Sequence, residues 1–233
     1  MLTPFRIAWI VAERYVYFGT IGIYTTFGFA LQKIGKLAKN NLIVYIILGV
    51  VLIPLSYRTT LRNVEWKNQD NLWLAAARTS PNSPQNHNNL GDLYARHGNL
   101  KKAAEEFQTA ILLKPDYGDA YHNLANAYRQ MGLAEQSEQN YLKALSFNPY
   151  IWQSYQNLAV TYYETGKFSD ALQMAQKAIE LNPEIPNLHF IRALVYVKLN
   201  NKELAKDALQ KTLKLDPNHQ QAKGLLSELN KNP

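Results

Sequence analysis

Two kinds of apolar spacing divide the chain. Between Arg14 and Lys33 lie 18 uncharged residues, YVYFGTIGIYTTFGFALQ, and between Lys39 and Arg58 lie another 18, NNLIVYIILGVVLIPLSY. A helix needs about 20 mostly apolar residues to cross a bilayer, within a range of roughly 17–25. In the second run Ile43, Val44, Ile46, Ile47, Leu48, Val50, Val51, Leu52 and Ile53 fall on every side of a helix, with no polar stripe. The first run carries Gly19, Thr20, Gly22, Thr25 and Thr26, small residues suited to helix–helix contact in lipid. Tyr15, Tyr17, Tyr45 and Tyr57 stand near the ends, as in an aromatic belt. The pattern predicts an interfacial lead-in over 1–14 and a transmembrane hairpin over 15–57, with spans at 15–32 and 40–57.

From residue 58 onward the spacing changes to a long period. Pro115, Pro149, Pro183 and Pro217 are each 34 residues apart, as are Gly98, Gly132 and Gly166, with Asn200 in the fourth place. Tyr94, Tyr128, Tyr162 and Tyr196 keep the same step, and so do Ala110, Ala144 and Ala178. A 34-residue period with these small, aromatic and proline slots resembles the tetratricopeptide (TPR) repeat, a helix–turn–helix unit that stacks into an α-solenoid. With proline at slot 32, the repeats run 84–117, 118–151, 152–185 and 186–219. Pro81, Ala76 and Trp73 extend the period backwards, predicting a degenerate half unit over 58–83 with its helix at 61–79. Residues 220–233 are polar and predict a closing cap. The fold class is thus all-α: a membrane hairpin followed by a half unit, four repeats and a capping helix.

Charge sharpens this division. The chain carries 25 Lys+Arg and 18 Asp+Glu. Residues 1–83 hold a net +6 and residues 84–233 a net +1. The basic excess frames apolar runs, which points to membrane flanks and away from nucleic acid as a partner. The three lysines of KIGKLAK between the spans are balanced by Arg6, Arg14, Arg58, Arg62 and Lys67 on the other side, so the charge count leaves orientation open. There is no cysteine, and the five histidines form no H-x-x-x-H pair, so a metal site is not expected. The common nucleotide-binding and serine-hydrolase motifs are also absent, and no cofactor or catalytic residue is assigned.

The TPR resemblance implies a concave groove lined by slots 2, 5, 6, 9, 12 and 13 of each first helix. Slot 6 holds Asn89, Asn123 and Asn157, slot 5 holds Asn88, His122 and Gln156, and Asp92, Asn126 and Arg129 complete the candidate set. An Asn amide offers one acceptor and two donor hydrogens, so a ladder of three can grip an extended peptide backbone without reading its side chains. This resembles the asparagine ladder of O-linked N-acetylglucosamine transferases. Solvated asparagines, common at this slot, are the plainer reading. The two-carboxylate clamp of chaperone-binding TPR domains lacks its lysine framework here, since slot 5 is Asn88. In the fourth repeat Phe190, Leu194 and Val197 predict an apolar end to the groove. Glu13 and Arg14 form a charged pair at the expected membrane boundary.

A wider resemblance covers nearly the whole chain. Ala12, Glu13, Arg14, Tyr15 and Tyr17 are followed by Arg62, Asn63, Trp66, Lys67, Leu72 and Trp73. Ser80, Pro81, Asn82, Ser83, His87, Asn88, Asn89, Leu90 and Gly91 then lead into the first repeat. This order resembles the C-terminal part of GT-C-fold membrane proteins with a TPR arm, among them the transmembrane-and-TPR O-mannosyltransferases. That family keeps its acidic catalytic residues in an early extracytoplasmic loop with no counterpart in this sequence. The resemblance implies a chain that is non-catalytic by itself, with its arm extracytoplasmic and its lysine loop inside. The expected partners are a protein or extended peptide, the lipid bilayer and another membrane protein, with no nucleic acid. Two roles follow: a membrane-anchored scaffold that binds in its groove, or the substrate-presenting arm of a glycosyltransferase whose catalytic part lies elsewhere.

Overall fold

The structure, a computed structural model, describes residues 29, 32–33, 36, 41–65 and 69–231. The chain divides into two units, Met1–Lys67 and Asn68–Pro233. In the first, α1 spans Asn41–Glu65 and contains Pro54. A proline inside a helix lacks the N–H for the carbonyl four residues back. Leu42, Tyr45, Ile46, Val50, Leu52, Ile53 and Tyr57 are exposed. The helix does not stop at Tyr57, where the second span was expected to end. It runs on through Arg58 and Arg62 to Glu65, so its last third is polar and charged. Among the described residues no helix is long and apolar enough to cross a membrane. The expected two-helix hairpin is therefore not supported by them. Its lead-in and nearly all of its first span and lysine loop lie outside the described residues.

The second unit is built of helix pairs. α2 (Gln69–Thr79) precedes α3 (Pro84–Arg96) and α4 (Leu100–Leu113). α5 (Gly118–Gln130) pairs with α6 (Ala134–Phe147), and α7 (Trp152–Glu164) with α8 (Phe168–Leu181). α9 (Pro186–Lys198) pairs with α10 (Lys202–Leu215), and α11 (Gln220–Lys231) closes the stack. Each pair packs within itself and then on its neighbours. The helix expected over 61–79 is α2, while 61–65 belong to α1.

The turns within pairs repeat one device. Gly98, Gly132 and Gly166 sit at φ near +76 to +78, and Asn200 at φ 57. The next N–H then reaches back to the carbonyl of the slot-11 tyrosine: Asn99 to Tyr94, Leu133 to Tyr128, Lys167 to Tyr162 and Asn201 to Tyr196, at 2.8–2.9 Å. This is the Schellman ending, which satisfies an orphan helix carbonyl and needs a left-handed residue. Glycine adopts that conformation without strain, and asparagine is the next best.

In three of the four pairs a small residue at slot 8 meets a large one at slot 24, whereas the third has Ala159 and Ala175 there, packed with Ile191. Gly91 faces Phe107, Ala125 faces Tyr141, and Ala193 faces Leu209. Slot 27 is Ala110, Ala144 and Ala178, all fully buried. The fourth repeat puts Thr212 there, and its Oγ1 donates to the Ala208 carbonyl at 2.9 Å, so the buried hydroxyl is satisfied.

Polar contacts fix α2 on the first pair. The Asn86 amide, 2% exposed, donates to the carbonyls of Ala76 at 3.0 Å and Ser80 at 3.3 Å. Asp70 meets His97 Nε2 at 2.8 Å and Arg96 at 3.5 Å. His87 and His189 share slot 4, and each brings Nε2 to the carbonyl of the preceding repeat's proline, Pro81 at 2.7 Å and Pro183 at 2.8 Å. Their other nitrogens differ. His87 Nδ1 meets Glu106 at 2.7 Å, whereas His189 Nδ1 is buried without a partner, because the slot of Glu106 is Ala208 in the fourth repeat.

Candidate functional site

The candidate residues stand on the first helices of three consecutive pairs. Asn88, Asn89 and Asp92 are on α3, His122, Asn123, Asn126 and Arg129 on α5, and Gln156 and Asn157 on α7. Slots 5, 6 and 9 recur on one face of a helix, so successive pairs bring them side by side.

Two amide–amide hydrogen bonds join neighbouring pairs along this face. Asn123 Nδ2 donates to Asn88 Oδ1 at 3.0 Å, and Asn157 Nδ2 donates to Asn126 Oδ1 at 2.8 Å. Asn123 and Asn157 therefore spend a donor inward. The Oδ1 atoms of Asn89, Asn123 and Asn157 accept no hydrogen bond among the described residues, and each of the three residues is half-buried. Asn89 and Gln156 join no other member of the set.

His122 sits at the centre of a relay. The Asn126 amide nitrogen approaches its Nε2 at 3.0 Å, and its Nδ1 lies 2.7 Å from Ser154 Oγ. An amide NH₂ can only donate, so Nε2 accepts, and the neutral ring carries its proton on Nδ1. Asn126 Oδ1 also accepts from the Tyr141 hydroxyl. Burial pushes His122 down to about 4, with Asp119 pulling the other way. Burial raises Tyr141, opposed by Arg129.

The charges nearby are matched. Arg96 Nε contacts Asp92 at 3.0 Å, and Arg129 contacts Glu164 at 3.6 Å. A cleft of about 240 Å³ lies beside the relay, lined by Asp92, Arg96, Phe107, Asn123, Asn126 and Gln130 among others. Among the described residues no group of three or more His, Cys, Asp or Glu could hold a metal ion. Glu13 and Arg14 lie outside the described residues.

Of the apolar end expected in the fourth repeat, Phe190 is core, while Leu194 and Val197 are half-buried. Phe190 is buried, its ring 4.7 Å from that of His219, in a cluster with Ala193, Leu209 and Ala222. Leu194, Leu225, Leu226 and Leu229 pack against it, so α11 covers the surface that a groove would have used. Ser154 and Tyr141 are the members that sequence reasoning missed. Ser154 is fully buried at slot 3, where the other repeats have Asn86, Ala120 and Leu188, and a small polar residue there was the available signal.

Sequence comparison accords with this architecture. Models of the TPR repeat match residues 91–132, and models of the tetratricopeptide repeat match residues 116–184 and 156–229. Protein O-mannosyl-transferase TMTC4 of Homo sapiens is 36% identical over 102 residues, covering 42% of this chain and 13% of that protein. Protein O-mannosyl-transferase Tmtc2 of Drosophila melanogaster is 27% identical over 116 residues, covering 49% of this chain and 12% of that protein. The match thus spans about an eighth of these relatives' length. Among solved structures, YrrB, a TPR protein with an unusual peptide-binding site, superposes with a TM-score of 0.59 at 18% identity, covering 84% of this chain and 97% of that one. At that identity the likeness concerns the fold alone.

Proposed function

We propose that this chain, a tetratricopeptide-repeat protein related over its repeats to the protein O-mannosyl-transferases, is a scaffold that holds an extended peptide along its first three repeats. The observation that carries this reading is the row of Asn89, Asn123 and Asn157. Two of the three amides are held by a bond to the neighbouring repeat, and among the described residues none of the three Oδ1 atoms accepts a hydrogen bond. A pre-oriented polar row loses little entropy on binding. The matched charges beside it favour an uncharged backbone over an ionic ligand. The test is the affinity of the full chain for a rhodamine-labelled peptide of alternating Ser and Ala, before and after Asn89→Ala, Asn123→Ala and Asn157→Ala together. The triple variant should lose binding with its helicity intact. Unchanged affinity with unchanged helicity removes the idea.

Membrane attachment is part of the proposal and rests on sequence. It is supported by the two 18-residue uncharged runs and the basic residues that flank them. Retention in carbonate-washed membranes is the expected result, and release into the wash would refute it. The family resemblance supports an extracytoplasmic arm. Protease added outside sealed vesicles of known orientation should then digest the repeats, and digestion only from the cytoplasmic face would reverse that topology.

The second reading is a substrate-presenting arm of a GT-C-type glycosyltransferase whose catalytic part lies outside this sequence. It is favoured by the similarity of the repeats to O-mannosyl-transferases and by the junction of Arg62, Asn63, Trp66 and Lys67. Co-purification with a multi-spanning membrane glycosyltransferase, or covalent continuity with one, would support it over a free-standing scaffold.

A further inference from the structure

We infer that His122 is a positioning residue that sets the polarity of the groove's third rung, turning the Asn157 Oδ1 outward as the acceptor for a backbone N–H of the bound peptide. The inference rests on the peptide-binding reading above and adds the residue that regulates it.

One chain of hydrogen bonds links His122 to Asn157. His122 Nε2 has a lone pair facing the Asn126 NH₂ at 3.0 Å. That contact fixes which way the Asn126 amide lies, with its NH₂ toward the ring and Oδ1 away from it. The Asn126 Oδ1 then receives Asn157 Nδ2 at 2.8 Å and the Tyr141 hydroxyl. With its nitrogen committed inward, the Asn157 amide presents Oδ1. Ser154, on the same helix as Asn157, lies 2.7 Å from His122 Nδ1, and its hydroxyl oxygen accepts the Nδ1–H of this tautomer. A proton added to Nε2 would leave the ring with two donors. The Asn126 NH₂ would then face a second N–H, and the favoured response is for the amide to turn over. Its NH₂ would next face the Asn157 NH₂, which must turn over in its turn. The third rung would present donors where it had presented an acceptor, and a peptide N–H could no longer pair with it.

The charged and titratable groups around this ring are few. Asp119 shares α5 with it, Tyr141 on α6 lies with its ring 5.8 Å away, and Arg129 of α5 is paired with Glu164 of α7. On α3 the nearest charges, Asp92 and Arg96, are paired with each other. Asp119 favours the charged ring, and burial opposes it more strongly.

The test compares the wild-type chain with His122→Gln and His122→Leu, using the rhodamine-labelled Ser-Ala peptide and the side-chain amide NMR signals of Asn126 and Asn157. Glutamine retains an acceptor for Asn126, and leucine does not. At neutral pH His122→Leu should bind about tenfold more weakly, the worth of one hydrogen bond in a binding site, with unchanged helicity. His122→Gln should bind like the wild type. Acidification from pH 5 down through pH 4, where the folded ring takes up its proton, should weaken the wild type and leave His122→Gln unaffected. Wild-type affinity in His122→Leu, or the same acid response in His122→Gln, overturns the inference. If the wild type binds no peptide at any pH, the peptide reading fails. The positioning role is then decided by the amide signals, which must shift in His122→Leu and not in His122→Gln.

Discussion

Gly91 lies so close beneath the Phe107 ring that a Cβ on it would come within 2.6 Å of the ring carbon Cε1. Every other repeat has alanine at this slot, but only here is the facing residue a phenylalanine that is itself 2% exposed. Gly91→Ala should therefore cost about 1–3 kcal/mol, the usual penalty for overpacking a core. Urea unfolding of the repeat unit measures it. The double variant with Phe107→Leu should recover part of the loss, since the fourth repeat already pairs alanine with leucine.

Asn200 is the one non-glycine among the four turn positions, at φ 57. Asn200→Gly should stabilise the fourth pair by about 0.5–1 kcal/mol, and Gly132→Ala should cost about 1–2 kcal/mol, because a Cβ is strained in the left-handed region. Space is not the reason, since nothing lies within 4 Å of where that Cβ would go. Thermal unfolding of both variants distinguishes backbone strain from a steric clash.

Acid should destabilise the repeat unit through His122. Burial holds the folded value at about 4, below the ordinary 6.5, so the unfolded chain takes up the proton more readily across that window. Stability is then full above pH 6.5 and falls as the pH drops toward 4, by up to about 3 kcal/mol from this residue. His122→Gln should flatten that part of the stability–pH curve.

Asn86→Ala removes a buried amide that bonds to two carbonyls near the end of α2. The expected cost is about 1–2 kcal/mol for the lost hydrogen bonds. The effect should be local: hydrogen exchange of α2 should accelerate far more than that of α7, whose neighbours are untouched. Uniform acceleration would mean that α2 is integral to the whole stack.

Much of this architecture was legible because repeats write it four times. Proline, glycine, tyrosine and alanine recur at fixed slots, and each slot has a backbone or packing reason that one sequence displays. Asn200 was legible for the same reason, as the residue that best replaces glycine at positive φ. The candidate site was legible only in part. Slot numbers brought Asn123 and Asn157 to the right helices, but not their bonds to Asn88 and Asn126, which join different slots at the two repeat boundaries. The role of Ser154 needed three dimensions, because its partner is 32 residues away. Phe190 misled because the same slot becomes interior once a capping helix lies over it. The continuation of α1 past Tyr57 escaped notice because charge marks the end of an apolar run, not the end of a helix.

Apolar packing runs through the whole repeat stack, and the first boundaries add amide hydrogen bonds to it. Hydrogen bonds cross the first boundaries between pairs, from Asn123 to Asn88 and from Asn157 to Asn126, while the fourth pair meets α11 through Phe190, Leu194, Leu225 and Leu229. A hydrogen bond weakens steeply once stretched or bent. Apolar contact instead diminishes in proportion to the area lost. Under tension along its axis the amide-linked boundaries should therefore resist until those two bonds break and then yield abruptly, a step that the purely apolar contact at the capped end lacks.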